Sequence, residues 1–130
     1  MTTDSRIKPD WSGKTILIAE DTETSIMFYM AALKKTKAKL LQANNGKETV
    51  EFVKSGEKID LILMDINMPE MDGLEAAEEI KKLKPNLPII IQTAYVLNEE
   101  RIRSFEAGCD GFIAKPVKIY QLIETIQSLI

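Results

Sequence analysis

Five short apolar runs, near residues 15–19, 39–43, 59–64, 88–93 and 111–114, recur along the chain, and stretches with helical periodicity separate them. The runs at 59–64 and 88–93 are apolar at consecutive positions rather than alternate ones, the pattern of strands covered by helices on both faces. Such strands pair in parallel. Short loops and right-handed crossovers then restrict a (βα)5 chain to an α/β fold: a doubly wound parallel five-stranded sheet in a three-layer, flavodoxin-like sandwich, with the common strand order 2-1-3-4-5. At 130 residues the chain is most simply one domain, and chains near this size bury roughly two-thirds of the surface they expose when unfolded.

The helical stretches carry their own start and stop signals. The first follows Thr22 and places Ile26, Met30 and Leu33 on one face, with Lys34, Lys35 and Lys37 toward its C-terminal end, where cations complement the helix dipole. The second starts near Asn45-Gly46, carries Val50, Phe52 and Val53, and breaks at Ser55-Gly56. The third begins at Gly73 and buries Leu74, Ala77, Ile80 and Leu83 until Lys84-Pro85 stops it. The fourth covers roughly Asn98 to Ala107, with Ile102 and Phe105 inward and Gly108 as its stop. The last runs from about Ile119 and stacks Leu122, Ile123, Ile126, Leu129 and Ile130. Residues 1–13 read as an N-terminal tail or linker remnant, broken by Pro9, Ser12 and Gly13, and the domain proper occupies 14–130.

Composition narrows the chemistry. A net charge of −3 argues against a nonspecific nucleic-acid or membrane surface, so neither nucleic acid nor direct membrane contact is expected. One cysteine, Cys109, excludes an internal disulfide, suits a reducing cytosol and reads as a small buried filler. Met1 to Asp10 is polar and charged, unlike a signal peptide, and no apolar run approaches the roughly 20 residues that span a bilayer, so the chain reads as cytoplasmic. The chain has no histidine, which removes the usual zinc and triad chemistries and assigns any phosphohistidine to a partner.

The C-terminal ends of the apolar runs supply the reactive groups. Glu20-Asp21 follows the first, Asp65 ends the third, Thr93 ends the fourth and Lys115-Pro116 follows the fifth. In the order 2-1-3-4-5 the first and third strands are neighbours at the topological switch point, so the acids meet on one rim. Carboxylates crowded at 4 Å repel by roughly 4 kcal/mol per pair at an effective dielectric near 20, so a divalent cation or proton uptake is expected. An all-oxygen site favours Mg²⁺ or Mn²⁺. A metal, the Lys115 ammonium and the Thr93 hydroxyl around one carboxylate suit stabilisation of phosphoryl oxygens, with Asp65 as the nucleophile that becomes an aspartyl phosphate.

Ile18-Ala19-Glu20-Asp21, the stretch from Met64-Asp65 through Asn67, Pro69 and Asp72 to Gly73, Thr93-Ala94 and Lys115-Pro116, in this order and spacing, resemble a response regulator receiver domain. The resemblance covers nearly the whole chain, from Lys14 to Ile130. It implies that Asp65 is the phosphoacceptor and that Asp21 and Asp65 are direct Mg²⁺ ligands. Glu20 would act nearby, through water, and the Asn67 backbone carbonyl would add a ligand. Thr93 would move toward the phosphoryl group, Lys115 would pair with it, and the Lys115-Pro116 bond is expected to be cis. Phe112 stands at the switch-aromatic position, where the family often has Tyr. That choice keeps rotamer switching with Thr93 but removes any hydroxyl-mediated contact. Tyr95, two residues after Thr93, is placed to screen the phosphoryl group from attacking water, which implies slow dephosphorylation.

Trp11-Ser12-Gly13-Lys14, Thr93-Ala94-Tyr95 and Ala107-Gly108-Cys109-Asp110-Gly111 resemble receivers of hybrid sensor histidine kinases more than those fused to DNA-binding domains. The expected role is phosphoacceptor in a two-component system or phosphorelay, not an enzyme acting on a free substrate. Its partner would be a sensor histidine kinase or histidine phosphotransfer protein. A homodimer could form through the fourth helix, fifth strand and fifth helix. A Mg²⁺-dependent aspartyl-phosphate phosphatase usually wants a second acid two residues after the nucleophile, where this chain has Asn67. A flavodoxin-like cofactor binder needs a phosphate-cradling loop after the first strand, where Glu20-Asp21 repels phosphate. A degenerate scaffold receiver is the remaining alternative, against which the intact acidic set argues.

Overall fold

A computed structural model describes residues 9–94 and 98–130. Five strands, β1 (Thr15–Ala19), β2 (Lys39–Ala43), β3 (Leu61–Asp65), β4 (Ile89–Thr93) and β5 (Gly111–Ala114), form one parallel sheet in the order β2-β1-β3-β4-β5. The helices are α1 (Glu23–Leu33), α2 (Gly46–Lys54), α3 (Gly73–Leu83), α4 (Asn98–Glu106) and α5 (Ile119–Leu129). This is the doubly wound arrangement expected from the apolar runs.

Strand alternation divides the core in two. Leu17, Ala19, Ile62, Met64, Ile89 and Ile91 face one way, against Val50 and Val53 of α2 and Leu74, Ala77 and Ile80 of α3. Ile16, Ile18, Leu61, Leu63, Ile90 and Ile113 face the other, against Tyr29 and Leu33 of α1 and Leu122 and Ile126 of α5. Both faces of β1, β3 and β4 are buried, which is why those strands carry unbroken apolar runs.

Local signals set the helix starts. The Asn45 side chain accepts from the Glu48 N–H and the Asp72 side chain accepts from the Leu74 and Glu75 N–H groups, so α2 and α3 each have a side-chain N-cap. The lysine cluster lies just beyond the last residue of α1, Leu33. Lys34–Thr36 forms a 3-10 turn, and Lys37 adopts a left-handed conformation (φ 68°) that redirects the chain into β2. Trp11 is buried with the α1/α5 cluster, its indole N–H donating to Gln127 Oε1 at 2.8 Å and its backbone N–H to the Thr36 carbonyl. The segment read as a tail thus contributes a core anchor.

Three inward assignments are corrected. Ile102 and Phe105 of α4 are 57% and 68% exposed, and Leu83 in the last turn of α3 is also exposed. The helix α4 instead turns Ser104 inward, with the buried Ala107 just beyond its end. The Ser104 hydroxyl is satisfied by the Arg101 carbonyl at 2.7 Å.

Candidate functional site

Each rim residue is held by its own element. Asp65 is the last residue of β3, and its Oδ1 accepts from the Asn67 N–H at 3.3 Å. The following loop is pinned by the Gly73 N–H, which donates to the Ile66 carbonyl at 2.9 Å. A Cβ at Gly73 would collide with the Asp65 carbonyl oxygen, so only glycine lets α3 begin this close to the acid. The Gly46 N–H, at the start of α2, donates to the Met71 carbonyl at 3.1 Å and ties the far side of the loop.

Glu20 is fully buried beyond β1, its backbone N–H donating to the Ala43 carbonyl and its Oε2 accepting from the Thr22 N–H at 3.2 Å. A buried carboxylate needs a counter-charge, and Lys115 supplies it: Nζ donates to Glu20 Oε1 at 3.0 Å and lies 3.7 Å from Asp65 Oδ2. Thr93, fully buried at the end of β4, accepts the Lys115 backbone N–H on its carbonyl at 2.8 Å. The Lys115-Pro116 peptide bond is cis.

Glu20, Asp21 and Asp65 each offer a carboxylate oxygen within 4.8 Å of the others, with Asp21 exposed to solvent. Burial first, then the Glu20 charge and a hydrogen bond with its side chain, raise Asp65 to about 6, against the opposing pull of Lys115 and the Asn67 N–H. Lys115 offsets burial and the Glu20 charge only in part, so further positive charge beside Asp65 would favour its ionised form. Three converging oxygens open to water on the Asp21 side are the donor set of a hard divalent cation, so these residues fit Mg²⁺ or Mn²⁺.

Phe112 on β5 is half-buried, packed against the α2/α3 side of the core, with the Arg101 guanidinium 5.3 Å from its ring centroid. Tyr95 lies outside the described residues. Two neighbours escaped the sequence reading. Tyr29 of α1 is buried against the site, where burial, then the Glu20 and Asp65 charges, push its phenol up and keep it neutral. Gln92 pairs in register with Asp65, and the visible signal for it was an amide in the otherwise apolar run Ile89-Ile90-Ile91.

Three acids and an ammonium gathered at the switch point of a doubly wound sheet define a class of signalling domain that works by carrying a phosphoryl group. This chain is a member: residues 16–127 match the response regulator receiver domain, and it belongs to that family. It is similar to the polar-differentiation response regulator DivK of Brucella anthropi, 34% identical over 88% of this chain and 94% of DivK. It is 40% identical to the sensor histidine kinase CheAY of Helicobacter pylori over 81% of this chain, but spans only 13% of that protein's length. Among solved structures it superposes with TM-score 0.82 on the receiver domain of sensor histidine kinase PA1611 from Pseudomonas aeruginosa, solved with a magnesium ion coordinated in its active site cleft. That match is 29% identical and covers 89% of this chain and 96% of the other. The chain is thus a receiver domain of two-component signalling, with relatives among both response regulators and kinase receivers.

Proposed function

We propose that Asp65 accepts a phosphoryl group from a phosphohistidine on a sensor histidine kinase or histidine phosphotransfer protein. The observation that carries this is the Asp65 carboxylate itself, at a strand end, 3.7 Å from the Lys115 ammonium and inside the acidic triad. An Asp65 oxygen attacks phosphorus, the P–N bond to the donor imidazole breaks, and the imidazole nitrogen leaves with the electron pair. Glu20, Asp21, Asp65 and the Asn67 carbonyl would hold Mg²⁺, which when bound neutralises charge on the phosphoryl oxygens. Lys115 pairs with one of those oxygens, and the Thr93 hydroxyl turns to another.

The output is a protein surface. Repositioning Thr93 and Phe112 alters the face of α4, β5 and α5, where Ile102 and Phe105 stand exposed for a partner or a second copy of the chain. On this reading the chain is a phosphoacceptor, not an enzyme on free substrates: Asn67 stands where an aspartyl-phosphate phosphatase would carry its second acid. The receiver unit spans 14–130, follows a linker anchored by Trp11, and works in the cytoplasm; among the described residues no helix is long and apolar enough to cross a membrane. Incubation with Mg²⁺ and a small phosphoramidate, followed by intact mass, tests the reading. One phosphoryl adduct in the wild type and none in Asp65→Asn is expected, and an equal adduct in both would overturn it.

A further inference from the structure

Gln92 is a buried polar side chain near the rim whose chemistry the receiver reading leaves unused. It is 1% exposed, and neither Nε2 nor Oε1 has a hydrogen-bond partner among the described residues. Buried amides are almost always paired, because the desolvation cost is otherwise unrecovered. Its place is defined by register. Gln92 sits opposite Asp65 on β3 and Ile113 on β5. Alternation from Ile90 and Leu63 puts Gln92 and Asp65 on the α1/α5 face of the sheet, in adjacent strands.

The sheet order gives this placement a consequence. Lys115 follows β5, yet its ammonium bonds Glu20, which follows β1; its side chain therefore crosses β4, the strand that carries Gln92. Asp65 is on β3, one strand nearer than Glu20. A phosphoryl group on Asp65 would draw the ammonium away from Glu20 and back toward β4.

We propose that Gln92 is a positioning residue for Lys115: its Oε1 accepts from the Lys115 ammonium when Lys115 leaves Glu20 for the phosphoryl group on Asp65. The orphaned amide then disfavours the resting state and favours the phosphorylated one, so Gln92 biases the switch. This rests on the phosphoacceptor reading above. A polar group retained at a cost in the resting state is understandable if a second state satisfies it.

The test uses beryllofluoride with Mg²⁺, a carboxylate-bound mimic of the phosphoryl group, titrated by calorimetry into the wild type, Gln92→Met and, as a second apolar replacement, Gln92→Leu. Both variants should melt above the wild type without beryllofluoride and bind it about ten- to a hundredfold more weakly, the range of a single lost hydrogen bond to a charged group. In a Lys115→Met background the Gln92→Met effect on affinity should vanish, because the partner is gone. Unchanged beryllofluoride affinity in both variants, as expected of a purely structural amide or one bridged by water in both states, would overturn the proposal. So would an affinity loss that persists in Lys115→Met. No binding to the wild type would instead remove the phosphoacceptor reading on which it stands.

Discussion

Asp65→Asn, made without any phosphoryl donor, should stabilise the fold. Folding lifts this carboxyl from the ordinary value of 3.8 to about 6, chiefly by burial and by the Glu20 charge. A rise of that size corresponds to about 3 kcal/mol lost when the group is ionised in the folded state. Asp65 is only 6% exposed, so solvent screening removes little of it. In the variant, the amide oxygen still accepts the Asn67 N–H and the new amide hydrogens can serve Glu20, leaving a net gain of about 2–3 kcal/mol.

The sign follows from proton binding. Between the unfolded and folded values the native state holds more protons, so wild-type stability falls as pH rises from about 4 to about 6 and levels off above. Urea unfolding in the presence of a chelator should show the two proteins nearly equal at about pH 4 and the variant ahead by about 2–3 kcal/mol at about pH 8, or roughly 6–12 °C in Tm. Adding Mg²⁺ should stabilise the wild type and close the gap. A variant no more stable than wild type at about pH 8, or a gap independent of pH, would refute the electrostatic account of the rim.

Other substitutions probe the supports of the site. Gly73→Ala forces a methyl against the Asp65 carbonyl and to 2.9 Å from Met64 Cγ, so chemical denaturation should show a loss of about 1–3 kcal/mol, with slower phosphorylation of Asp65. Trp11→Ala should lose about 3–5 kcal/mol, since it empties part of the α1/α5 core and frees Gln127; Gln127→Ala alone should cost far less in the same melt. Burial, then the Asp110 charge, pushes the Cys109 thiol up to about 12, so alkylation by iodoacetamide at about pH 8 should wait for unfolding; rapid labelling of the native protein would contradict its burial.

The sheet was legible because its central strands announce burial on both faces through consecutive apolar residues, and because Asp65, Glu20-Asp21, Thr93 and Lys115 all follow or close such runs. The convergence of the acids then followed from strand order alone. Helix faces were less legible. In α1 the run Ile26-Met27-Phe28-Tyr29-Met30 is apolar all round, so periodicity could not single out Tyr29, which is buried while Met27 is exposed. In α4 the inward side chain is the small Ser104, and the larger Ile102 and Phe105 misled the assignment. Gln92 was overlooked for a different reason: its position in a buried strand was readable, but its unpaired amide is a property of packing.

The central claim is that Asp65 carries the phosphoryl group, and borohydride trapping tests it at the level of the residue. An acyl phosphate is reduced to an alcohol, so phosphorylated protein treated with borohydride should yield homoserine at position 65 by peptide mass spectrometry, dependent on Mg²⁺ and lost in Asp65→Asn. Homoserine formation at Asp21 instead, or phosphate retained on a serine or threonine, would contradict the account.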